Sequence, residues 1–139
     1  MAEEKRPKVG VSVLVFKNNK VLLGKRKGSH GEGEYASPGG HLEFGESIED
    51  CARRECLEEA GIKIKNIKFL RLANLRKYGK HYADIGLTAE WDSGDVKVME
   101  PEKMEKWNWY DLNDLPKPLF AALEQTFEAL RTGKIFFDE

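Results

Sequence analysis

The stretch Gly40-His-Leu-Glu-Phe-Gly-Glu46-Ser-Ile-Glu-Asp-Cys-Ala-Arg-Arg54-Glu-Cys-Leu-Glu-Glu-Ala-Gly61-Ile62 decides how the chain is read. Ser47 followed by Asp50 resembles a capping box, and Gly61 stands where a helix stop belongs, so the pattern predicts a helix over residues 47–60. With Ile48 at zero on a helical wheel of about 100° per residue, Ile48, Cys51 and Ala52 form an apolar stripe. Glu55 then falls near ~340° and Glu59 near ~20°, in the middle of that stripe, with Glu58 at its edge near ~280°. Glutamate is rarely buried without a partner. Carboxylates converging where the helix meets the core repel one another and call for a neutraliser, and hard oxygen ligands of this kind suit Mg²⁺ or Mn²⁺. The plainer alternative is a solvated acidic face, with Arg54 pairing to Glu58 at i,i+4 under either reading.

Working outward, Val9–Phe16 is a β-branched run, residues 17–20 form a turn and Val21–Leu23 resume the strand pattern, which together predict a hairpin. Residues 24–33 are basic and glycine-rich and read as a loop. Residues 35–37 are short and extended, ending at Pro38-Gly39-Gly40. Residues 62–75 and 82–91 read as strands around a polar tip, and 92–101 as an acidic loop. Residues 104–110 alternate, which puts Trp107 and Trp109 on one face of a half-buried strand. A final amphipathic helix is expected over 118–131, with Gly133 after it. Strands outnumber the helices that flank them, so the expected architecture is a mixed sheet packed between helices. Residues 1–7 read as a flexible, solvated tail and 8–139 as one domain.

Composition narrows the function. The 139 residues are 40% hydrophobic and 34% charged, a globular balance. With 23 Lys+Arg against 24 Asp+Glu the net charge is -1, so the chain lacks the basic excess that draws proteins to polymeric DNA or RNA, while a small anion held by local charges stays open. No run approaches the roughly 18 apolar residues of a membrane helix, and the charged N-terminus has no secretory apolar core. Cys51 and Cys56 point about 140° apart on one helix and cannot bridge, so reduced thiols and a cytoplasmic setting are expected.

Gly40-x5-Glu46-x7-Arg54-Glu55-Cys56-x-Glu58-Glu59-x-Gly61-Ile62 resembles the signature of the Nudix (MutT-type) hydrolases, with Cys56 at the place of the first bulky apolar residue. The likeness extends to residues 21–29, to Pro38–Glu46, and to His81-Tyr82, Glu100-Pro101-Glu102-Lys103, Trp107-x-Trp109 and Leu115-Pro116. In these segments the chain looks like the plant cytosolic and animal nucleotide-cleansing Nudix enzymes. The resemblance implies an α+β fold, an α/β/α sandwich carrying a loop–helix–loop catalytic box. It makes Glu55 and Glu59 metal ligands, Glu58 a ligand or close neighbour, and the Gly39 carbonyl part of the metal's shell. Glu46 and Arg54 brace the loop against the helix. The general base varies in the family; Glu55 and Glu102 are the candidates here, with Glu105 behind them. Arg26 matches a phosphate-contacting position, with surface solvation as its alternative. Gly40 and His41 approach the phosphates, and Tyr35 and Phe120 are placed to line a base pocket or, alternatively, to fill the core. Ser37 and Ala121 stand where relatives carry an apolar residue and tryptophan, so a wider or less apolar pocket is expected.

The function so implied is Mg²⁺-dependent hydrolysis of a nucleoside triphosphate to a monophosphate and pyrophosphate, with 8-oxo-dGTP or dCTP as candidate substrates. ADP-ribose, nucleotide-sugar or dinucleoside polyphosphate cleavage is the alternative within hydrolases. Residues 76–79 carry no proline of the ADP-ribose kind, whereas Tyr78 resembles a tyrosine of the dinucleoside polyphosphate enzymes. The roomier pocket also admits isoprenyl diphosphates, which some plant relatives accept. A non-catalytic nucleotide-sensing domain is the alternative of another class, and the intact set of box glutamates speaks against it. Close relatives often pair, so a homodimer is an expected arrangement.

Overall fold

A computed structural model describes residues 5–138. Of the expected tail only residues 5–7 fall within it, exposed and without regular structure. The chain runs through β1 (Lys8–Lys17), β2 (Lys20–Arg26), β3 (Tyr35–Ala36), β4 (Gly39–His41), α1 (Ile48–Ala60), β5 (Lys63–Leu75), β6 (Tyr82–Ser93), β7 (Met104–Asp111), α2 (Ala121–Thr132) and β8 (Phe136–Asp138). All eight strands join one mixed sheet ordered β3-β2-β1-β6-β5-β8, with β4 paired to β1 and β7 to β2. β1 runs parallel to β6 and β5 to β8, and the remaining pairs are antiparallel.

The β1–β2 hairpin is the feature that makes room for a site. Asn18 and Asn19 both adopt positive φ, 50° and 65°, as a tight turn between right-twisted strands requires. Only the pairs Phe16–Val21 and Lys17–Lys20 are then made before the two strands part. Residues 35–41 fill the fork: β3 pairs with the end of β2, Pro38 accepts from the Val13 N–H at 2.8 Å, and β4 pairs with Gly10, Val11 and Ser12 of β1. Gly39 has to be glycine, because a Cβ there would run into the Val11 carbonyl oxygen.

Helices cover both faces of the sheet, as the expected sandwich requires. α1 packs Cys51, Ala52, Cys56 and Ala60 against Val11, Val13, Val15, Leu87 and Trp107. On the opposite face α2 lays Leu123 on Leu14, Val21 and Leu23, and Ala122 and Ala129 near Ala73, Leu75 and Phe137. The helix over 48–60 begins as expected, with Ser47 Oγ accepting the Asp50 N–H at 3.0 Å, and Gly61 closes it at φ 71°. The Asp50 carboxylate pairs with Arg53. Ile48, taken as the centre of the apolar stripe, is 38% exposed, because the first turn of α1 projects past the sheet edge.

Three expectations shift. The final helix begins at Ala121 instead of 118, because Pro118 O and Phe120 N–H are taken by the backbone of Tyr35, which holds residues 118–120 extended. The apolar run 135–137 becomes the edge strand β8, where Phe137 is buried against the α2 face. The Gly39-Gly40 pair that ends the short extended stretch forms, with His41, the strand β4. Both added strands are three residues long, too short for period-2 patterning to register.

Replacing Ser47 with alanine removes the α1 cap and is expected to lower unfolding free energy by about 1 kcal/mol. Urea denaturation of the two proteins measures it, and an unchanged midpoint would contradict the capping role.

Candidate active site

The fork brings the Gly39-Gly40 turn against the inner face of α1. Glu59 is 8% exposed, and its Oε1 accepts the Gly39 N–H at 2.8 Å. One turn earlier Glu55 lies beside Gly40 so closely that a Cβ on Gly40 would occupy the carboxyl group's position. The Glu55 and Glu59 carboxyls lie one helical turn apart and act on each other electrostatically. Burial raises the pKa of both, opposed at Glu55 by Arg54 and at Glu59 by the Gly39 N–H, and Glu59 moves well above its ordinary 4.5. Two desolvated carboxyls in contact must share a proton or a cation.

Arg54 fixes the loop ahead of α1. Its Nε and Nη2 donate to the two oxygens of Glu46 at 2.7 and 3.0 Å, Nη1 reaches Glu55 Oε1 at 2.8 Å, and Nη2 donates to the His41 carbonyl at 3.1 Å. The bidentate pair pulls Glu46 down to about 2. Glu58 is half-exposed and reaches Arg54 at 3.3 Å. With Glu58 drawn to Arg54, no three His, Cys, Asp or Glu side chains converge into a ready-made metal cluster among the described residues. The buried pair, with two adjoining oxygens and a raised proton affinity, still fits a hard divalent cation.

Glu55, Glu58, Glu59, Gly39, Gly40, His41, Arg26, Glu102 and Phe120 all line one cavity of about 810 Å³, within the size range that small-molecule sites occupy. Lys27, Lys77, Lys80 and Lys103 stand on the same wall, a positive lining suited to phosphate. His41 Nε2 lies 3.0 Å from the Tyr82 hydroxyl, and burial with Lys8 and Lys103 lowers the pKa of the ring. Arg26 donates to His30 O and Ser29 Oγ, and its guanidinium carbon sits 4.2 Å over the Phe120 ring.

The structure separates the two aromatic candidates. Tyr35 is buried away from the cavity, edge-on to Tyr110 at 6.0 Å, because strand alternation sends the Ala36 side to the cavity and the Tyr35 ring to the other side. Phe120 does line the cavity, but the Tyr78 ring stacks on it at 5.0 Å and 4°. A guanidinium and a parallel ring at these separations are too large to share one face, so no open face is left for a base. Glu105 pairs with Lys25 at 3.5 Å outside the cavity, which removes it from the candidate bases. Glu100, whose local sequence carries no signal that sets it apart from its acidic neighbours, lines the cavity and acts electrostatically on Glu59. Tyr78 stands on the same cavity wall. Its hydroxyl donates to Glu34 Oε1 at 2.8 Å and accepts the Ala121 N–H at 3.0 Å, tying the β5–β6 loop to the start of α2. Trp107 is core, as its alternation predicts, and its Nε1 donates to Glu59 O.

The NUDIX domain family matches residues 6–130. The chain belongs to the NUDIX family. Its NUDIX relatives include an NAD-capped RNA hydrolase, NudC, of Pseudomonas syringae pv. syringae (strain B728a), 35% identical over 126 residues that make up 87% of this chain and 44% of that protein. An ADP-ribose pyrophosphatase of Methanocaldococcus jannaschii is 34% identical over 116 residues, 82% of this chain and 68% of that one. The chain thus spans less than half the length of the first and about two thirds of the second. The crystal structure of a MutT NUDIX hydrolase from Burkholderia pseudomallei superimposes with a TM-score of 0.85 at 30% identity, covering 91% of this chain and 99% of that one. Nudix hydrolases generally need a divalent metal, and the buried NUDIX-box pair suits that requirement. No helix is long and apolar enough to cross a membrane among the described residues.

The raised carboxyls give a pH signature. A folded-state pKa above the unfolded value means the native state binds more protons, so stability is fully present below about pH 4.5 and is lost as pH rises toward the folded pKa. Chelator-treated protein is therefore expected to lose melting temperature as pH rises from about 4.5, and Mg²⁺ or Mn²⁺ to restore it at neutral pH. Glu59→Gln, which keeps an acceptor for Gly39 but no charge, should flatten both responses in differential scanning fluorimetry.

Proposed function

We propose that the chain, acting as one domain over residues 8–139 in a reducing, cytoplasmic setting, hydrolyses the diphosphate linkage of a nucleoside triphosphate, giving a monophosphate and pyrophosphate. The observation that carries this reading is the buried Glu55–Glu59 pair held against the Gly39-Gly40 turn at one end of a basic, nucleotide-sized cavity.

Glu55, Glu59 and the Gly39 carbonyl, with Glu58 beside them, would hold Mg²⁺, or Mn²⁺ in its place. Bound there, the ion neutralises diphosphate oxygens and lowers the pKa of a water. The chain's own groups do the rest. Arg26 binds a phosphate by its guanidinium, already oriented by His30 O and Ser29 Oγ. Arg54 keeps Glu55 aimed at the turn while Glu46 anchors Arg54 in place. Water attacks the α-phosphorus, its proton passes to a carboxylate, and pyrophosphate leaves. Glu55 is already bonded to Arg54, whereas Glu102 is exposed and lines the cavity, so we assign the proton to Glu102.

A second reading, cleavage of ADP-ribose, is favoured by the name of the Methanocaldococcus relative. A panel of the four dNTPs, 8-oxo-dGTP, ADP-ribose, NAD⁺ and a dinucleoside tetraphosphate, ranked by kcat/KM with Mg²⁺, separates the two. Glu59→Gln is expected to abolish turnover, and Glu102→Gln to lower kcat by about 10²- to 10⁴-fold. Equal rates in wild type and Glu59→Gln would end the assignment, and nucleotide binding without turnover would favour the sensor reading.

A further inference from the structure

The far end of the cavity holds an ion pair for which hydrolysis has no use. Arg71 on β5 is fully buried, 0% exposed. Its Nη1 pairs with Asp84 Oδ2 at 2.8 Å and donates to the Asp84 carbonyl at 2.9 Å. Nη2 donates to Ala122 O at 2.8 Å and to Thr126 Oγ1 at 3.1 Å, which joins α2 to the sheet, and reaches Ser12 Oγ at 3.4 Å. Its Nε is buried with no partner. The guanidinium fits only because Gly86 lies beneath it; a Cβ there would sit 2.8 Å from Cζ. A buried pair with an orphaned donor is a poor source of stability, since similar-sized apolar residues commonly do as well or better. What the arrangement does accomplish is to immobilise the Asp84 carboxylate.

That carboxylate faces the cavity, whose wall here is Gly10, Ser12, Leu75, Asp84, Ala122 and Leu123. Arg71 and the Ser12 hydroxyl, the latter donating at 2.6 Å, both hold Oδ2. Oδ1 lies over Gly10, where a Cβ would come within 2.7 Å of it, so the missing side chain keeps that oxygen open. Asp84 is opposite Gly10 in the β1–β6 register, and Gly10 is opposite His41 in the β1–β4 register. Two strand spacings, about 10 Å, therefore separate Asp84 from the phosphate end. A sugar and one base ring bridge such a gap.

Resting on the proposed nucleotide hydrolysis, we propose that Asp84, fixed by Arg71 and Ser12, is the residue that reads the base edge, and that it selects a base presenting adjacent N–H donors, as guanine does with N1–H and the 2-amino group. The Ser12 oxygen beside it has its proton committed to Asp84 and offers only lone pairs, which extends the acceptor surface. Thymine and uracil meet this surface badly, because their N3–H is flanked by two carbonyl oxygens that oppose the carboxylate. Hypoxanthine keeps N1–H but lacks the amino group, so it isolates the contribution of the second donor.

The test measures kcat/KM for dGTP, dITP and dTTP, and the dissociation constants of the corresponding monophosphates, in wild type, Asp84→Asn and Gly10→Ala. Wild type should favour dGTP over dITP by about tenfold or more and over dTTP by more than that. Asp84→Asn, which replaces one acceptor oxygen by a donor, should collapse the dGTP:dITP ratio toward one. Gly10→Ala keeps the Arg71, Ser12 and Asp84 side chains and sets a methyl against Oδ1, which must turn away from it, so it should lower the same ratio even if Asp84→Asn fails to fold. If the ratio is already near one in wild type, or is unmoved in a folded Gly10→Ala protein, Asp84 is only a structural partner of Arg71 and the inference falls. If no triphosphate is turned over while the monophosphates still bind with the guanine preference, hydrolysis fails and base reading stands.

Discussion

Two carboxyl groups buried side by side are the constraint around which the rest of this structure is arranged. Glu55 and Glu59 cannot both ionise in a desolvated pocket unless something positive lies between them or near them. Arg54 answers part of that charge, and it is itself held by Glu46 so that it cannot swing away. The Gly39 N–H answers another part. What remains is a concentrated acceptor site in a cavity that Arg26, Lys27, Lys77, Lys80 and Lys103 also line. Cationic side chains and a carboxylate pair thus share one cavity, an arrangement that suits an anion bound together with a cation.

The sheet makes that approach possible by failing to close. β1 and β2 pair for two residues at each strand's end and then diverge, and the short strands β3 and β4 occupy the gap. Because β4 is only three residues long and holds two glycines, the backbone comes near enough to α1 for the two carboxyls to rest on it. The same divergence leaves the β1 face at Gly10 and Ser12 uncovered, so the cavity runs from the acidic helix on one side of the sheet to the underside of α2 on the other. Arg71 anchors α2 at that end, and Tyr78 anchors the β5–β6 loop to the start of the same helix. The cavity is thus framed by contacts among segments more than 40 residues apart in sequence.

The helix carrying the acidic residues was legible from local chemistry alone. Its cap at Ser47, its stop at Gly61 and the inward phase of Glu59 depend on spacing within one helix, and 3.6-residue periodicity is a robust signal over four turns. The spacing of Glu46 and Arg54 was legible too, since the chain between them is short. The aromatic side of the site was not. Tyr35 sits on a two-residue strand, where one step of alternation reverses its direction, so nothing local distinguishes a cavity-facing ring from a core-facing one. Phe120 was placed correctly in the cavity, yet whether its face is open depends on Arg26 and Tyr78, which arrive from two other loops. Glu100 and Glu105 look equivalent in sequence, and only the pairing of β7 with β2 sends one into the cavity and the other to Lys25.

By itself the sequence determined the two-sided helix cover of a mixed sheet, the register of α1, and the acidic character of its inner face, because each follows from periodicity and end signals that short-range sterics enforce. Tertiary structure alone decided that the Gly39-Gly40 turn lies against Glu55 and Glu59, that residues 118–120 are drawn straight by Tyr35, and that an arginine lies wholly buried beside Asp84. Those outcomes rest on which distant strands become neighbours, and a strand pairing is chosen by the packing of the whole sheet, which no single segment encodes.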